Sequence, residues 1–175
     1  MDKGLIHIYT GDGKGKTSAA LGVIMRAYGV GYNILFAQFL KGQDTGELIT
    51  LKTLGIDVLR TESVKKFIPD MNESQKKSCA NAHKICYNNV KRLVSEKDYD
   101  VLILDEVIPA INLGLIDLTD CLNFLQNKPL HTEVILTGRD APKALMQIAD
   151  YITDMHCIAH PYNDKGLPAR KGIEY

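Results

Sequence analysis

Three glycines at alternate positions, Gly11, Gly13 and Gly15, followed at once by Lys16 and Thr17, constrain this chain more than any other stretch in it. Residues 5–9 form an apolar run that reads as a strand ending at this turn. Residues 17–28 read as a helix with Ala20, Leu21, Ile24, Met25 and Tyr28 on one stripe, stopped by Gly29 and Gly31. A strand, a glycine-rich turn and a helix in that order make a phosphate cradle. Glycine reaches positive φ and carries no Cβ, so successive backbone N–H groups can turn into one concavity. The start of the helix adds the positive end of its dipole. The pattern G-x-x-x-x-G-K-[ST] is met at Gly15-Lys16-Thr17, but Thr10 stands where its first glycine belongs, with Gly11 beside it. This is a variant P-loop. Lys16, expected on a surface loop, supplies a point charge to the phosphates, and the Thr17 hydroxyl takes a place on Mg²⁺.

The rest of the chain alternates strands and helices. Residues 33–40, 56–59, 101–104, 133–137 and 151–157 read as further strands. Residues 72–95 read as a long helix with Asn72 as cap and Gln75 at the capping-box position. Its stripe is Cys79, Ala82, Cys86, Val90 and Leu93. His83 lies on that stripe and is expected to be a hydrogen-bonded, half-buried histidine rather than a ligand. Residues 117–125 and 141–149 read as helices, Pro142 being tolerated in the first turn of the latter. From His160 onward the chain reads as a loop. The alternation predicts one α/β domain over residues 1–175, with a roughly six-stranded, mostly parallel sheet and helices on both faces. Ligands of such sheets sit beyond the carboxyl ends of the strands. The candidate chemistry gathers there: the cradle, Asp105-Glu106 and Gly138-Arg139.

Residues 101–104, Val-Leu-Ile-Leu, are continuously apolar, as a central parallel strand buried on both faces must be, and the run ends in Asp105 and Glu106. Two acids at that point have the Walker-B shape, whose carboxylates hold Mg²⁺ directly or through water. In hydrolytic relatives of such sites the second acid orients water.

Composition narrows the partners. Lys and Arg number 21 and so do Asp and Glu, so the basic excess that drives non-specific nucleic-acid or membrane binding is missing. The four cysteines are scattered without a C-x-x-C pair, which argues against a zinc site and for a reducing cytosol. No basic region followed by an apolar run stands at the amino-terminus, and no apolar stretch nears the ~18 residues that span a bilayer. We expect a cytoplasmic protein with neither a nucleic-acid nor a membrane partner.

Taken together, Gly11-Asp12-Gly13-Lys14-Gly15-Lys16-Thr17-Ser18-Ala19-Ala20, Gln38-Phe39-Leu40-Lys41-Gly42, Leu104-Asp105-Glu106, Thr137-Gly138-Arg139, His160-Pro161-Tyr162 and Gly172-Ile173-Glu174-Tyr175 resemble the P-loop corrinoid adenosyltransferases over nearly the whole chain. The resemblance implies a P-loop NTPase fold of RecA-like type, a homodimer, a flavoprotein reductant, and transfer of adenosyl from ATP to the Co(I) of a corrinoid, with triphosphate leaving. It implies ATP held reversed in the cradle, contacted by Gly11, Asp12, Gly13, Lys14, Gly15, Lys16, Thr17, Ser18 and Arg139. Mg²⁺ falls to Thr17 and Glu106, with Asp105 supporting from behind. Phe67 and Pro69 align with an aromatic stretch that displaces the lower axial ligand of the corrinoid. The chain departs from the family there, since well-known members have Phe-x-Trp and this sequence has no tryptophan. It departs again at the start, where many members carry a segment that closes over the site; we expect that lid to be shortened or supplied by another element. The tail's Lys165, Arg170 and Lys171 are candidates for meeting corrin side groups. Two other readings stay open on the residues alone: a hydrolytic P-loop ATPase or small-molecule kinase, and a non-catalytic carrier of ATP or corrinoid.

Overall fold

A computed structural model of the chain describes residues 2–42, 45–61 and 70–175. Phe67 and Pro69 lie outside the described residues. Six strands, β1 (Ile6–Thr10), β2 (Ile34–Gln38), β3 (Asp57–Arg60), β4 (Val101–Asp105), β5 (Glu133–Thr137) and β6 (Tyr151–Asp154), form one parallel sheet in the order β3-β2-β4-β5-β1-β6. All five pairings are parallel. The sheet is thus the α/β, RecA-like P-loop arrangement expected, with one strand, β5, between the cradle strand β1 and the acidic strand β4.

The apolar runs explain the layering. In a strand, successive side chains face opposite sides. Leu102 and Leu104 of β4 join a core with Leu35, Ala37, Val134 and Leu136, whereas Val101 and Ile103 join a second core with Ile34, Phe36 and Ile135. Helices α1 (Lys16–Gly29) and α2 (Gly46–Thr53) cover the second face. Helices α3 (Glu73–Glu96), α4 (Val107–Asn112), α5 (Leu118–Gln126) and α6 (Lys143–Ile148) cover the first. The last helix, α7 (Pro161–Lys165), lies in the exposed tail.

Several expectations need correction. The buried stripe of α1 is Lys16, Ala20, Ile24 and Ala27, while Met25 and Tyr28 are exposed. Small alanines face the sheet and let the helix backbone approach it; the bulkier residues mark a neighbouring face. On α3 the capping box of Asn72 and Gln75 is present and His83 is on the buried stripe as expected, but the stripe is turned by about one position, with Tyr87 and Val94 buried in place of Ala82 and Leu93. Helices α2 and α4 had no counterpart in the sequence reading. They are short, and α4 is Val-Ile-Pro-Ala-Ile-Asn, whose β-branched residues and proline hide a helical period. The tail is not all loop: His160 caps α7, its Nδ1 accepting from the Tyr162 N–H, with Pro161 at the first turn. β6 ends at Asp154, three residues before the predicted end.

Candidate functional site

The cradle is built by close backbone approach. Gly11 has φ +97°, and a Cβ there would stand 2.3 Å from Asp154 Oδ1 and 2.4 Å from the Met155 carbonyl oxygen. The Gly13 N–H donates to the Met155 carbonyl (2.6 Å), and the Cys157 N–H donates to Asp12 Oδ1 (3.1 Å). The stretch after β6 therefore braces the loop from outside. Thr10, in place of the first glycine, ends β1; it is nearly buried, and its hydroxyl accepts from the Ala141 N–H (3.3 Å). The backbone freedom that the usual first glycine provides is taken over by Gly11. Gly15, at φ +116°, ends the loop and starts α1, whose first N–H groups have no intrahelical acceptor.

Lys16 corrects the sequence reading. It is not a surface side chain but only 8% exposed, and its ammonium donates to the carbonyls of Gly11 and Gly13, both at 2.6 Å. Burial, and then the positive charge of Arg139, push its pKa down. A cation so placed gains from an anion beside it.

Asp105 ends β4 fully buried. Among the described residues, four donors converge on its carboxylate: the Thr17 hydroxyl (2.8 Å) and the Thr137 hydroxyl (2.8 Å) on Oδ1, and Gln38 Nε2 (3.1 Å) and Lys41 Nζ (3.0 Å) on Oδ2. These come from α1, β5, β2 and the turn after β2, so Asp105 ties together the carboxyl ends of three strands and the cradle. Thr137 also accepts from the Glu106 N–H (2.9 Å), which holds Glu106 at φ +58° and turns the chain into α4. Glu106 faces the cavity. Burial, and then the charge of Asp105, raise its pKa, the opposite demand to that of Lys16: it gains from a cation.

These groups line one cavity of about 640 Å³ at the carboxyl end of the sheet, with Lys14, Lys16, Thr17, Lys41, Glu106 and Arg139 among its walls. Gly138, which precedes Arg139, has φ +145° and sits where a Cβ would meet Pro109 Cδ at 2.2 Å. A larger cavity, about 840 Å³, lies beside Tyr32, Asp57 and Tyr99. It lies at the other end of the strands, and its Asp57 is already bonded by Lys97 and Tyr99, so the chemistry belongs to the smaller one.

Of the predicted site residues, Gly13, Lys14, Gly15, Lys16, Thr17, Ser18, Asp12, Glu106 and Arg139 border this cavity, while Gly11 and Asp105 support it from within. Lys41, Gln38 and Thr137 were not singled out as site residues. Their signal was their position at the ends of β2 and β5, beside Asp105 in register: Gln38 pairs with Asp105. The tail reaches the same mouth. His160 and the stretch 172–175 line the cavity, and Glu174 accepts from Lys14 (2.8 Å) and from Arg170 (3.0 Å). These partners bring the Glu174 carboxyl down to about 2. Arg170 is thus committed to Glu174 rather than directed outward.

No group of three His, Cys, Asp or Glu side chains that could hold a metal ion occurs among the described residues. The donors instead suit Mg²⁺, which takes one or two carboxylates and completes its shell with water and phosphate oxygens. Glu106 and the Thr17 hydroxyl fit that role. The Gln38 side-chain oxygen Oε1, buried without a partner among the described residues, is an acceptor free for a water beside such an ion.

His83 is a positioning residue for this corner. It is fully buried, its Nδ1 donates to the Cys79 carbonyl (2.8 Å) and its Nε2 accepts from the Leu40 N–H (3.2 Å). Leu40 is in the left-handed region at φ +59°. The expected satisfied histidine is there, buried more completely than foreseen. Burial lowers its pKa from 6.5. The folded chain thus binds this proton less readily than the unfolded one, so the stability His83 contributes is present above pH 6.5 and lost as pH falls from there toward the lowered folded value. In urea titrations from pH 7.5 to 5.5, the wild type should lose stability more steeply than His83→Gln. Parallel curves would show that this histidine is not buried neutral.

The model of the family described as ATP:corrinoid adenosyltransferase BtuR/CobO/CobP matches residues 2–175. A corrinoid adenosyltransferase of Sinorhizobium sp. is 33% identical over 99% of this chain and 81% of its own length. The corrinoid adenosyltransferase CobA of Salmonella typhimurium and the corrinoid adenosyltransferase of Escherichia coli K12 are each 29% identical over 99% of this chain and 87% of their own lengths. No helix among the described residues is long and apolar enough to cross a membrane.

Proposed function

The chain belongs to the ATP:corrinoid adenosyltransferase family, and on that premise we propose that it transfers the 5′-deoxyadenosyl group of MgATP to a Co(I) corrinoid and releases triphosphate, in the making or salvage of a cobalamin. The observation that carries the mechanistic part is the pairing of opposite electrostatic demands in one cavity: a buried Lys16 that gains from an anion and a half-buried Glu106 that gains from a cation. A metal-bound polyphosphate answers both.

In this reading Co(I) gives an electron pair that becomes the bond to C5′, the bond between C5′ and its oxygen breaks, and the triphosphate leaves with the electrons of that broken bond. No general base is needed, because no proton moves. The site's task is to hold the reacting carbon in line and to neutralise the leaving charge. Lys16, Arg139 and the free amides at the start of α1 are the groups for the triphosphate, with Gly11, Gly13 and Gly15 shaping the loop and Asp12, Lys14 and Ser18 at its rim. Thr17 and Glu106 would hold Mg²⁺, which would supply positive charge against the phosphates. Asp105 accepts the Thr17 hydroxyl and so fixes that side chain's direction. We read ATP as reversed in the cradle, so that C5′ faces the corrinoid. By family resemblance the enzyme is cytoplasmic and homodimeric, takes electrons from a flavoprotein, and uses Phe67 and Pro69 against the lower face of the corrinoid.

The test is incubation of the protein with MgATP and chemically reduced corrinoid. Adenosyl-corrinoid and triphosphate should appear in equal amounts. ADP and orthophosphate as the sole products from ATP, or tight corrinoid binding without turnover, would overturn the assignment.

A further inference from the structure

Lys41 stands where the cation of this site is expected. Its ammonium is 3.0 Å from Asp105 Oδ2, 3.1 Å from Thr17 Oγ1 and 4.0 Å from Glu47 Oε1. The backbone is folded to bring it there. Leu40 turns left-handed, the Lys41 N–H donates back to the Phe39 carbonyl (2.7 Å), and Arg60 Nε donates to the Lys41 carbonyl (3.0 Å). Among the described residues, the other three donors to Asp105 are two hydroxyls and an amide, so there Lys41 alone brings a positive charge to this carboxylate. A fully buried carboxylate deprived of its counter-charge is strongly destabilising.

We propose that Lys41 is a surrogate cation: in the nucleotide-free chain its ammonium holds the place between Thr17 and Asp105, and it yields that place to Mg²⁺ when the site is loaded. This rests on the reading that Thr17, Glu106 and Asp105 form the metal's surroundings. The exchange keeps Asp105 neutralised in both states. Its cause is geometric, since an ammonium within bonding distance of Thr17 Oγ1 excludes a metal ion from that oxygen. Lysine suits the role because its charge rides on a flexible four-carbon stem that can swing away without moving the backbone. The side chain is also partly exposed to the cavity, which leaves it room to move.

The experiment is thermal unfolding of the full chain without nucleotide or corrinoid, in millimolar MgCl₂ and in NaCl of equal ionic strength. Wild type should respond little to Mg²⁺. Lys41→Met should unfold about 5 °C lower in NaCl and regain most of that loss in MgCl₂, because the divalent ion enters the vacated place. A Lys41→Met midpoint equal to wild type in NaCl, an equal Mg²⁺ response of both proteins, or a loss that Mg²⁺ does not repair would overturn the proposal. Should Lys41→Met not fold in NaCl, Lys41→Met with Asp105→Asn decides. With both charges gone it should fold, and its midpoint should not depend on Mg²⁺. A double variant as unstable as the single one places the loss in packing and overturns the proposal, as does one that still responds to Mg²⁺. Because neither ATP nor corrinoid is present, failure here leaves the adenosyltransferase assignment standing, and failure of that assignment leaves this result readable.

Discussion

Lys16→Ala should lower kcat/KM for adenosyl transfer by about a hundredfold to a thousandfold, the usual cost of removing a group aimed at developing charge in a water-poor site. The change removes a buried ammonium from the cavity wall and leaves the departing triphosphate to the backbone amides and Arg139. A surface lysine would give this result with the fold untouched, but Lys16 is bonded to the Gly11 and Gly13 carbonyls. Alanine leaves both carbonyls without that donor, so the variant should also lose about 1–3 kcal/mol of stability. Steady-state kinetics well below the midpoint, together with urea unfolding, separate the two effects. A folded Lys16→Ala protein with wild-type turnover would remove the cradle from the mechanism. Wild-type stability with lost turnover would mean that the two carbonyl bonds carry no weight in the fold.

Gly11→Ala should be the most damaging single methyl in the cradle, at about 2–5 kcal/mol of unfolding free energy. Two costs add. Alanine at φ +97° is in a region that L side chains disfavour, and its methyl would stand 2.3 Å from Asp154 Oδ1 and 2.4 Å from the Met155 carbonyl, which is backbone and cannot swing aside. The brace between the loop and the stretch after β6 must open, and the Gly13–Met155 bond opens with it. A loss of this size is a large part of the ~5–15 kcal/mol that holds a typical domain together. Gly22→Ala is the matching control. It lies inside α1 with nothing within 4 Å of the added methyl, so it should stabilise by up to about 1 kcal/mol. Chemical denaturation of both variants checks the pair; equal effects would show that the clash at Gly11 is relieved without cost.

The central strands β2, β4 and β5 were legible because parallel strands buried on both faces are continuously apolar, and each run sits between turn residues. The helix at residues 73–96 was legible from its capping box. What misled the reading was side-chain size. Met25 and Tyr28 look like core residues of α1, yet Ala20 and Ala27 are the ones buried, since helix-to-sheet distance is set by the neighbouring layer. The short helices α2 and α4 carry too few turns for a period to emerge. In the site, Gly11, Lys16, Thr17 and the two acids follow from local pattern. Lys41, Gln38 and Thr137 do not, because they reach Asp105 from segments 64, 67 and 32 residues away.

The sequence by itself determined the phosphate cradle, the order of the six strands and of helices α1, α3, α5 and α6 among them, and the acidic strand end, because each is written in adjacent residues whose backbone preferences and polarity act locally. Only the tertiary structure decided that the cradle lysine is buried and bonded to its own loop, and that the stretch after β6 braces that loop. It also decided that Asp105 is enclosed by four donors, with an ammonium on the Thr17 hydroxyl. Those facts depend on the strand order, with β6 beside β1 and with β2 and β5 flanking β4, which brings distant segments to the carboxyl end of the sheet. Burial then makes each unpaired charge costly, and so fixes which partners must meet.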